Sequence, residues 1–314
     1  MTAPTGPPPP TGRTLVVGEA LIDIVVGPDG RQEHVGGSPA NVAAGLARLA
    51  HAVDVLTHIG TDERGNRITG HLAAAGVRLV PGSDGAAHTP TATAHLDADG
   101  VATYHFDLAW DLPAVDLRGA GHLHTGSIAA TLEPGASQVL ELVQAARRHA
   151  TVSYDPNLRP SIMGEPHDVR SRVEELVGHT DVVKASDEDI QWLYAGTPVP
   201  EIARLWGRLG PSVVVITQGP GGALVVVPGA GEEILVPAAP AAVVDTVGAG
   251  DSFMAGLLSG LLDQGLVGDA AARERLRRAG LSGILPAVER ALACAHWTIE
   301  RAGAAAPTRS DLSG

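Results

Sequence analysis

Several residue types are scarce in this 314-residue chain, and each scarcity excludes a class of function. The single cysteine, Cys294, can form neither an internal disulfide nor a multi-cysteine metal site, so a reducing compartment is expected. The single lysine, Lys184, follows Val183, whereas a P-loop of the form GxxxxGKS/T requires glycine at that place. P-loop NTPases are therefore excluded.

Basic charge and long apolar runs are scarce as well. The 22 basic residues stand against 35 acidic ones, a formal net charge of −13, whereas a nucleic-acid binder needs a basic footprint. No stretch of about 18 apolar residues occurs, so we expect no membrane span. The first twelve residues, MTAPTGPPPPTG, lack the basic and apolar regions of a secretory signal. We expect residues 1–12 to be a disordered tail, and the protein to be soluble and cytoplasmic.

Beyond the tail, short apolar runs alternate with longer helical patterns, which predicts a mostly parallel sheet covered by helices on both faces. No internal repeat or linker divides residues 13–314, so we expect a single domain. The predicted strands are 14–18, 53–59, 122–125, 152–154, 181–184 and 213–217. The predicted helices are 40–49, 64–75, 135–149, 168–177 and 188–194. The last third predicts a hairpin (222–227 and 232–236) followed by three helices (251–262, 269–279 and 285–301).

Two stretches, 21–35 and 91–108, fit this alternation poorly. Each predicts two strands around a turn, at 28–30 and at 97–100. They can form a small antiparallel flap beside the main sheet, where such an element would act as a lid over a substrate. Two ordinary surface hairpins explain the pattern equally well.

The segment that carries most chemical information is DTVGAGD, residues 245–251, which precedes a helix of small and apolar residues. Small side chains leave the backbone N–H groups at the start of a helix accessible. These donors, together with the helix dipole, attract negative charge. A phosphate or a developing oxyanion is the natural occupant.

Asp251 closes this segment. Beside a polyphosphate alone its charge would be unfavourable. A carboxylate there can instead take a proton from an attacking hydroxyl while the amides hold the transferring phosphoryl group. General base catalysis of this kind contributes about 10²–10⁴-fold. The alternative is that Asp251 only caps its helix.

A second motif, GGSPAN at 36–41, opens a helix near the N-terminus. The paired glycines Gly36 and Gly37 let the backbone approach a ligand closely, and Asn41 offers both a donor and an acceptor to a hydroxyl. Asp23 lies at the end of the first strand region, where a carboxylate can accept two hydrogen bonds from vicinal hydroxyls. A glycine turn followed by a helix cap accounts for GGSPAN equally well, so both interpretations stay open.

A third motif, TQGPGG at 217–222, follows the apolar strand 213–216. A threonine hydroxyl and a glycine-rich backbone at the carboxyl end of a strand suit nucleotide phosphates. The segment is not a dinucleotide fingerprint, because Gly219-x-Gly221 is followed three residues later by Leu224, where GxGxxG requires glycine.

In this order and at these distances, the three motifs resemble the ribokinase-like (PfkB-type) carbohydrate kinase family, from about Thr14 to Arg309. The resemblance implies an α/β fold, a doubly wound and mostly parallel sheet in an αβα sandwich with a small β-lid. It also implies phosphoryl transfer from ATP to a sugar hydroxyl, with Mg²⁺. Matched residue by residue, it implies Asp251 as the base, Gly248, Ala249 and Gly250 as the anion hole, Asp23, Gly36, Gly37 and Asn41 at the sugar, and Thr217, Gly219 and Gly222 at the nucleotide.

Two further segments resemble the fructokinase and 2-keto-3-deoxygluconate kinase branch of that family. DPNLRP at 155–160 implies Asn157 at the nucleotide and Arg159 at the substrate, where a guanidinium pairs with phosphate or carboxylate through two parallel hydrogen bonds. KASDED at 184–189 is similar to the fructokinase form of the family's N-x-x-E segment and implies Lys184 and Ser186 at the nucleotide. Asp189 stands where the family has glutamate. It implies a Mg²⁺ contact through water, for which Glu188 is the alternative.

The lid departs most from the fructokinase pattern. Fructokinase-like lids often carry an arginine after an aromatic pair, whereas residues 104–110 here read YHFDLAW. Without that arginine, a neutral sugar or a nucleoside fits better than a carboxylated or phosphorylated sugar. Phe106 or Trp110 can stack on the apolar face of a substrate, or both can be ordinary packing residues. The asparagine often found in the adenine-side helix is missing around Leu292.

Three other features are open at this point. Several family members are potassium-activated, which suggests a monovalent cation near Asp245 and the Val247 carbonyl, although backbone ligands leave no side-chain signature. Lid-to-lid dimers occur in relatives, which suggests a homodimer. His122 and His124 alternate on one strand face, but no third ligand stands near them in sequence, so no metal site is predicted there.

The expected function is a Mg·ATP-dependent sugar kinase whose partners are ATP and a small sugar. Fructose is the leading substrate, and 2-keto-3-deoxygluconate, ribose and nucleosides are alternatives. A catalytically silent sensor of sugar or nucleotide on the same fold is a further alternative. The intact Asp251 and its GAG segment argue against that alternative.

Overall fold

A computed structural model describes residues 12–27, 30–96 and 102–313 of the chain. The predicted tail, apart from Gly12, and most of the two predicted lid turns lie outside the described residues. The strands are β1 Arg13–Val17, β2 Leu21–Gly27, β3 Gly30–Gly36, β4 Val53–Leu56, β5 Arg78–Leu79, β6 Thr91–Leu96, β7 Ala102–Asp107, β8 Ala120–Gly126, β9 Thr151–Asp155, β10 Val182–Ser186, β11 Val213–Thr217, β12 Ala223–Val227 and β13 Glu232–Val236. The helices are α1 Ser38–Arg48, α2 Glu63–Ala74, α3 Gly135–Ala146, α4 Pro160–Met163, α5 Pro166–Gly178, α6 Asp187–Leu193, α7 Val199–Leu209, α8 Ala249–Asp263, α9 Ala272–Arg278 and α10 Gly280–Ile299.

Nine strands form the central sheet, in the order β13-β12-β11-β10-β9-β8-β1-β4-β5. All neighbours from β11 to β5 in that order pair in parallel, and β12 and β13 extend one edge as an antiparallel hairpin. Parallel neighbours need crossover connections, and helices supply them here. The predicted mostly parallel sheet and the predicted hairpin are both confirmed.

Alternate residues of the central strands face two different helical layers. On β1, Val16 packs into an apolar cluster with α1, α2, α8 and α10, whereas Leu15 and Val17 pack into a second cluster with α3, α5, α6 and α7. Strands that are buried on both faces are apolar throughout rather than alternating, which explains runs such as VVVI in β11. The three layers together form an αβα sandwich.

Helix α8 is buried along most of its length between α1 and α10, and small residues allow the close approach. A Cβ atom built on Gly45 of α1 would lie 2.7 Å from the Cβ atom of Ala255. A Cβ atom built on Gly256 would lie 2.8 Å from the Cα atom of Ala291 in α10. The backbone of α1 therefore packs on a methyl group of α8, and the backbone of α8 packs on that of α10.

A second sheet of four strands, in the order β3-β2-β6-β7, forms the predicted flap. The pairs β2–β3 and β6–β7 are antiparallel, but β2 and β6 pair in parallel. The prediction of a purely antiparallel flap is therefore wrong at its centre. The chain passes through α1, β4, α2 and β5 between β3 and β6, and this long crossover returns it beside β2 in the same direction.

Two helices differ from the sequence-based prediction because of proline. The sequence pattern predicted no helix over residues 199–209. Helix α7 starts there at Val199, has Pro200 in its first turn and buries Ile202 and Trp206. Proline is tolerated there because the amides of a first turn have no partner within the helix. Helix α10 starts at Gly280, five residues before the predicted start, and carries Pro286 inside it.

The described helices were also compared with the length and hydropathy of a membrane span, and none of them is long and apolar enough to cross a bilayer.

Candidate active site

The predicted motifs meet at one edge of the central sheet. The segments that follow β1, β9, β10 and β11 all leave the carboxyl ends of parallel strands. In open α/β sheets, ligands bind in the crevice outside these strand ends. The first turns of α1 and α8 lie against each other at the same edge, because Ser38 and Asn41 contact Asp251.

Helix α8 starts within the GAG segment, two residues before the predicted start at Asp251. Gly248 is its N-cap, with a left-handed backbone (φ 75°), and among the described residues no side chain caps it. A Cβ atom on Gly248 would lie 2.5 Å from the Cβ atom of Ala304, so both conformation and space require glycine. The Ala249 amide donates to the Thr246 carbonyl oxygen (3.2 Å), so this member of the predicted anion hole is already engaged. The predicted role then falls to the remaining amides of this turn.

The carboxylate of Asp251 points toward α1 and not toward its own helix. Its Oδ1 accepts a hydrogen bond from the Ser38 hydroxyl (2.6 Å), and its Oδ2 accepts one from the Asn41 amide (2.8 Å). The Asn157 amide donates to Oδ1 at 3.4 Å. Asp251 is 8% exposed, so these neutral donors replace most of its water. The geometry thus differs from that of a helix cap.

Ser38 is a site residue that the sequence analysis missed, although it lies inside GGSPAN. The preceding Gly37 has a left-handed backbone (φ 103°), and a Cβ atom there would lie 2.4 Å from the Glu19 carbonyl oxygen. A Cβ atom on Gly36 would lie 1.9 Å from Oδ2 of Asp23. The two glycines therefore let the end of β3 pass directly under Asp23, which stays exposed to solvent.

Glu19 is a second residue that the analysis missed. Its side chain is buried, and its Oε2 accepts a hydrogen bond from the Ala129 amide (3.1 Å). Burial raises the pKa of Glu19 to about 7, against the opposing effects of backbone and side-chain hydrogen bonds and of the Arg159 charge. The signal in the sequence is an acidic residue placed directly after a buried strand.

The DPNLRP segment turns Asn157 toward Asp251. Asn157 has a positive φ of 38°, which is uncommon for a residue with a side chain. The Arg159 guanidinium donates to the backbone oxygen of Asn157 (2.9 Å) and to its side-chain oxygen (2.7 Å), which holds this turn. The structure places Asn157 next to the predicted base, whereas the resemblance implied a nucleotide contact.

Lys184 lies beneath this turn in a buried ion pair. Its ammonium donates to Oδ2 of Asp155 at 2.9 Å, and their side chains are 4% and 1% exposed. A Cβ atom on Gly250 would lie 3.0 Å from Nζ of Lys184, so the ammonium packs against the first turn of α8. Burial raises the pKa of Asp155 to about 6, against the charge of Lys184. The predicted nucleotide contact of Lys184 stays a prediction, since the structure gives it a carboxylate partner.

Ser186 and Asp189 form a capping box at the start of α6. The Ser186 hydroxyl accepts from the Asp189 amide (3.0 Å), and Oδ2 of Asp189 accepts from the Ser186 amide (2.8 Å). Oδ1 of Asp189 accepts from the Leu158 amide (2.8 Å). Asp189 thus ties the DPNLRP segment to α6, and its contact with Mg²⁺ stays a prediction.

The glycine-rich segment after β11 lies beside the end of β10. The Thr217 hydroxyl donates to the Ala185 carbonyl oxygen (3.3 Å), and Gly219 is exposed. A Cβ atom on Gly222 would lie 2.0 Å from the Val236 carbonyl oxygen, so the backbone of β13 lies close to this segment. The predicted nucleotide residues are therefore on the strand end adjacent to Ser186.

Asp245 fixes the loop before α8. Its Oδ1 accepts from the Val247 amide (3.0 Å) and its Oδ2 accepts from the Gly303 amide (2.8 Å). These backbone hydrogen bonds hold the pKa of Asp245 below its ordinary value. Asp245 therefore ties the loop before α8 to the segment after α10. A cation at Asp245 and Val247 stays a prediction.

The aromatic residues of the lid region have different environments. Phe106 stacks on Tyr104 within β7, with ring centroids 6.0 Å apart. Trp110 is 5% exposed, and its ring Nε1 donates to the Ala129 carbonyl oxygen (3.0 Å). The interpretation of Trp110 as a stacking residue is wrong, because its ring belongs to the core.

His122 and His124 are buried on β8. Both rings are hydrogen bonded to the Ser153 hydroxyl, His122 at 2.8 Å and His124 at 2.9 Å, and burial lowers the pKa of each to about 3. Within the described ranges, no three side chains of histidine, cysteine, aspartate or glutamate converge on a common metal position.

Residues 13–311 match the pfkB family carbohydrate kinase model. The chain belongs to this family. Membership confirms the resemblance, the fold class and the enzyme class, a phosphotransferase that acts on a sugar hydroxyl.

Fructokinases are prominent among the similar proteins. A fructokinase of Klebsiella pneumoniae is 34% identical over 275 residues, which cover 83% of this chain and 88% of that protein. The crystal structure of Xylella fastidiosa fructokinase with bound ATP aligns with a TM-score of 0.80 at 27% identity, covering 96% of this chain and 97% of that one. A Vibrio cholerae O395 fructokinase double mutant with bound fructose, ADP and potassium ion aligns with a TM-score of 0.78 at 26% identity, covering 98% and 99%.

In this pfkB-family kinase, the structure brings three predicted segments into contact around Asp251. Asn41 and Asn157 donate hydrogen bonds to Asp251. Gly37, just before α1, lets the chain pass close to the backbone of Glu19. Phe106 lies on the lid, where its ring contact within the described part of the chain is with Tyr104. Ser38, Glu19 and Asp155 are the additions that the structure makes to the predicted set.

Proposed function

We propose that this kinase transfers the γ-phosphoryl group of ATP to a hydroxyl of fructose, with Asp251 as the general base. The placement of Asp251 carries the proposal. It is a buried carboxylate held by neutral donors in the first turn of α8, where an anion is also favoured. The similarity to several fructokinases supports fructose as the acceptor.

The proposed reaction is a direct transfer from ATP to the sugar. The attacking sugar hydroxyl gives its proton to Asp251 as its oxygen bonds to the γ-phosphorus, and the bond from that phosphorus to the β,γ-bridging oxygen breaks to release ADP. The amides of the first turn of α8 stabilise the charge on the transferring group. Ser38 and Asn41 keep the carboxylate oriented for the proton.

Sugar and nucleotide approach Asp251 from two sides in this proposal. Asp23, Gly36, Gly37, Asn41, Phe106 and Arg159 face the sugar, and Asn157, Lys184, Ser186, Thr217, Gly219 and Gly222 face the nucleotide. The arrangement is supported by the sheet, since β1 and β11 lie on opposite sides of β9 and β10 and their carboxyl ends flank the site. A fructokinase of the same fold was crystallised with ATP, which supports ATP as the donor.

The acidic residues around the phosphate side fit Mg²⁺. Oδ1 of Asp155 is buried without a hydrogen-bond partner among the described residues, and Asp189 lies close enough to act on its charge. Oxygen ligands of this kind suit Mg²⁺, which keeps several waters and binds chiefly through substrate phosphates. Bound with ATP, Mg²⁺ would neutralise charge on the β- and γ-phosphates.

A monovalent cation is proposed at the loop of Asp245 and Val247. The V. cholerae fructokinase with bound potassium ion supports a monovalent cation in this kinase, and the location is part of the proposal. ADP release should then rise when potassium replaces a bulky organic cation at equal ionic strength. An unchanged rate would remove the cation from the proposal and leave phosphoryl transfer intact.

The charges near the site favour a neutral acceptor. Arg159 is a cation that acts on both Glu19 and Asp23, whereas Asp251 adds a further negative charge. The sequence of β7, ATYHFD, contains no arginine. A phosphorylated or carboxylated sugar would thus meet more negative than positive charge.

The deciding experiment measures ADP release with Mg·ATP across fructose, other hexoses, ribose, 2-keto-3-deoxygluconate and nucleosides. We expect fructose to have the highest kcat/KM. A nucleoside preference would keep the mechanism and replace the substrate. Absence of turnover with every acceptor, while ATP still binds, would favour the sensor alternative and contradict the proposal.

We also propose a homodimer that associates through the lid, as the family resemblance implies, where Tyr104 on β7 is exposed. Sedimentation equilibrium gives the mass directly. A Tyr104→Ser variant that lowers the dimer fraction would support association through the lid, and a wild-type monomer would contradict it.

A further inference from the structure

One ammonium group and several carboxylates share the interior of the candidate site. Lys184 is the only lysine in the chain, and its ammonium donates to Asp155 at 2.9 Å. Asp189 and Asp251 also lie near enough to act on its charge. Gly250, the neighbour of Asp251, is in van der Waals range of the ammonium. More than one carboxylate is therefore a possible ion-pair partner of the Lys184 ammonium.

The hydrogen bonds of the three carboxylates show which of them pairs with Lys184. Asp189 is committed to the capping box of α6 and to the Leu158 amide. Asp251 takes the Ser38 hydroxyl and the Asn41 amide, both of them neutral donors. Asp155 alone holds the ammonium, and its second oxygen has no partner among the described residues.

We propose that Asp155 is a positioning residue that reserves the Lys184 ammonium and so leaves Asp251 with neutral donors. The inference rests on the proposed function, in which Asp251 takes a proton. A carboxylate that is paired with a cation holds its negative charge more firmly and is a weaker proton acceptor. The Asp155–Lys184 pair thus keeps a positive charge near the proposed phosphoryl position while Lys184 does not pair with Asp251.

The consequence of losing Asp155 follows from burial. A buried ammonium that loses its partner is strongly unfavourable, so it must find another carboxylate or lose its proton. Both oxygens of Asp189 accept from backbone amides, which are fixed by the fold. The donors to Asp251 are side chains that can rotate away, so Asp251 is the carboxylate that can accept the ammonium. The base would then pair with Lys184, and its contact with Ser38 or Asn41 would weaken.

The first test is Asp155→Asn, measured by steady-state kinetics with the acceptor that wild type prefers. We expect kcat to fall by about 10-fold or more and KM for the sugar to stay within about 3-fold, since the change affects the base and not sugar binding. Asp155→Glu, which keeps the charge, should recover most of kcat. If kcat of Asp155→Asn equals that of wild type, the inference is wrong.

Asp181→Asn is the matched control. Asp181 is as buried as Asp155 and is paired with Arg273 (2.6 Å), but it precedes β10 at the opposite end of the sheet. Its loss should lower thermal stability and leave kcat unchanged. An equal loss of kcat in both variants would mean that a missing buried charge damages the fold generally, which would overturn the positioning role.

A double-mutant cycle tests whether Asp155 acts through Lys184. In a Lys184→Met background, Asp155→Asn should change kcat by less than about 2-fold, because no ammonium is left to redirect. Effects that multiply independently in the cycle would contradict the inference.

The single lysine gives a readout that does not need turnover. Selective ¹⁵N-lysine labelling yields one side-chain ammonium resonance, which should be protected from exchange in wild type. It should shift or broaden in Asp155→Asn and stay in place in Asp181→Asn. If the resonance responds in this way but wild type releases no ADP with any acceptor, the proposed function fails and the ion pair is structural only. If wild type is active and the resonance ignores Asp155→Asn, the inference fails and the proposed function stands.

Discussion

The Ser38 hydroxyl lies 2.6 Å from Oδ1 of Asp251, although 213 residues separate the two in the chain. Ser38 is in the first turn of α1 and Asp251 is in the first turn of α8, and further along the backbone of α1 packs on a methyl group of α8. The hydrogen bond therefore joins the GGSPAN motif to the GAGD motif within one packed unit. Four predictions follow from this unit and its surroundings, in addition to the tests given above.

Asp251→Asn should lower kcat by about 10²–10⁴-fold, because an amide cannot take the hydroxyl proton. The side chain keeps its shape, so ATP binding by calorimetry and the melting temperature should change little. A variant that keeps more than about a tenth of the wild-type kcat would remove Asp251 from the role of base.

Ser38→Ala should lower kcat by roughly 10-fold, since a hydrogen bond to a charged group contributes about 1.5–3 kcal/mol and orients the carboxylate here. Ser171→Ala is the control, because Ser171 is exposed on α5 far from the site in sequence and structure. Equal kinetics for the two variants would show that the Ser38 hydroxyl does not matter to Asp251.

Gly248→Ala should destabilise the protein and impair turnover, since the left-handed backbone and the nearby Ala304 both oppose a Cβ atom. Gly70→Ala is the matched comparison, because a Cβ atom at Gly70 in α2 meets nothing within 4 Å. That change should be neutral or stabilising by up to about 1 kcal/mol, as alanine favours helix. Urea unfolding of both variants measures the difference, and equal stabilities would contradict this account of the α8 start.

Glu19→Gln should make stability less dependent on pH. The pKa of Glu19 is about 7 in the folded protein, above its ordinary value of 4.5, so the folded state binds more protons between these limits. Wild-type stability from this group is therefore highest below pH 4.5 and falls as the pH rises through about 7. Since a pKa unit corresponds to about 1.4 kcal/mol, glutamine should stabilise by roughly 2–3 kcal/mol at pH 8 relative to pH 5.

Thermal melts of wild type and Glu19→Gln at both pH values measure that difference. Glutamine still offers an oxygen to the Ala129 amide, so the comparison isolates the charge. A melting-temperature difference that stays constant from pH 5 to pH 8 would contradict the raised pKa.

Local chemistry explains what the sequence predicted well. The small residues of the GAG segment predicted a helix start, and α8 begins there. The paired glycines predicted a close backbone approach, which the structure shows between Gly36 and Asp23 and not yet to a ligand. The alternation of apolar runs and helices likewise predicted the central sheet, because strands that are buried on both faces are apolar throughout.

Contacts between distant segments explain what it predicted poorly. Lys184 was matched to the nucleotide from its motif, but its burial depends on Asp155 from another strand. The parallel pairing of β2 with β6 depends on the path of the four elements between β3 and β6. Glu19 carries no motif, and its raised pKa depends on what is packed around it.

The packing of α8 limits which parts of the molecule can respond to a substrate. Gly45 brings α1 against the methyl group of Ala255, and Gly256 brings α8 against the backbone of α10, so close contacts on both sides oppose rotation or sliding of α8. The first turn of α8, which carries Asp251, is then expected to stay fixed. Closure over a sugar would then fall to the four-stranded sheet, and Asp23 would move with β2. Changes of acceptor preference can accordingly accumulate in the lid while the proton-transfer machinery stays untouched.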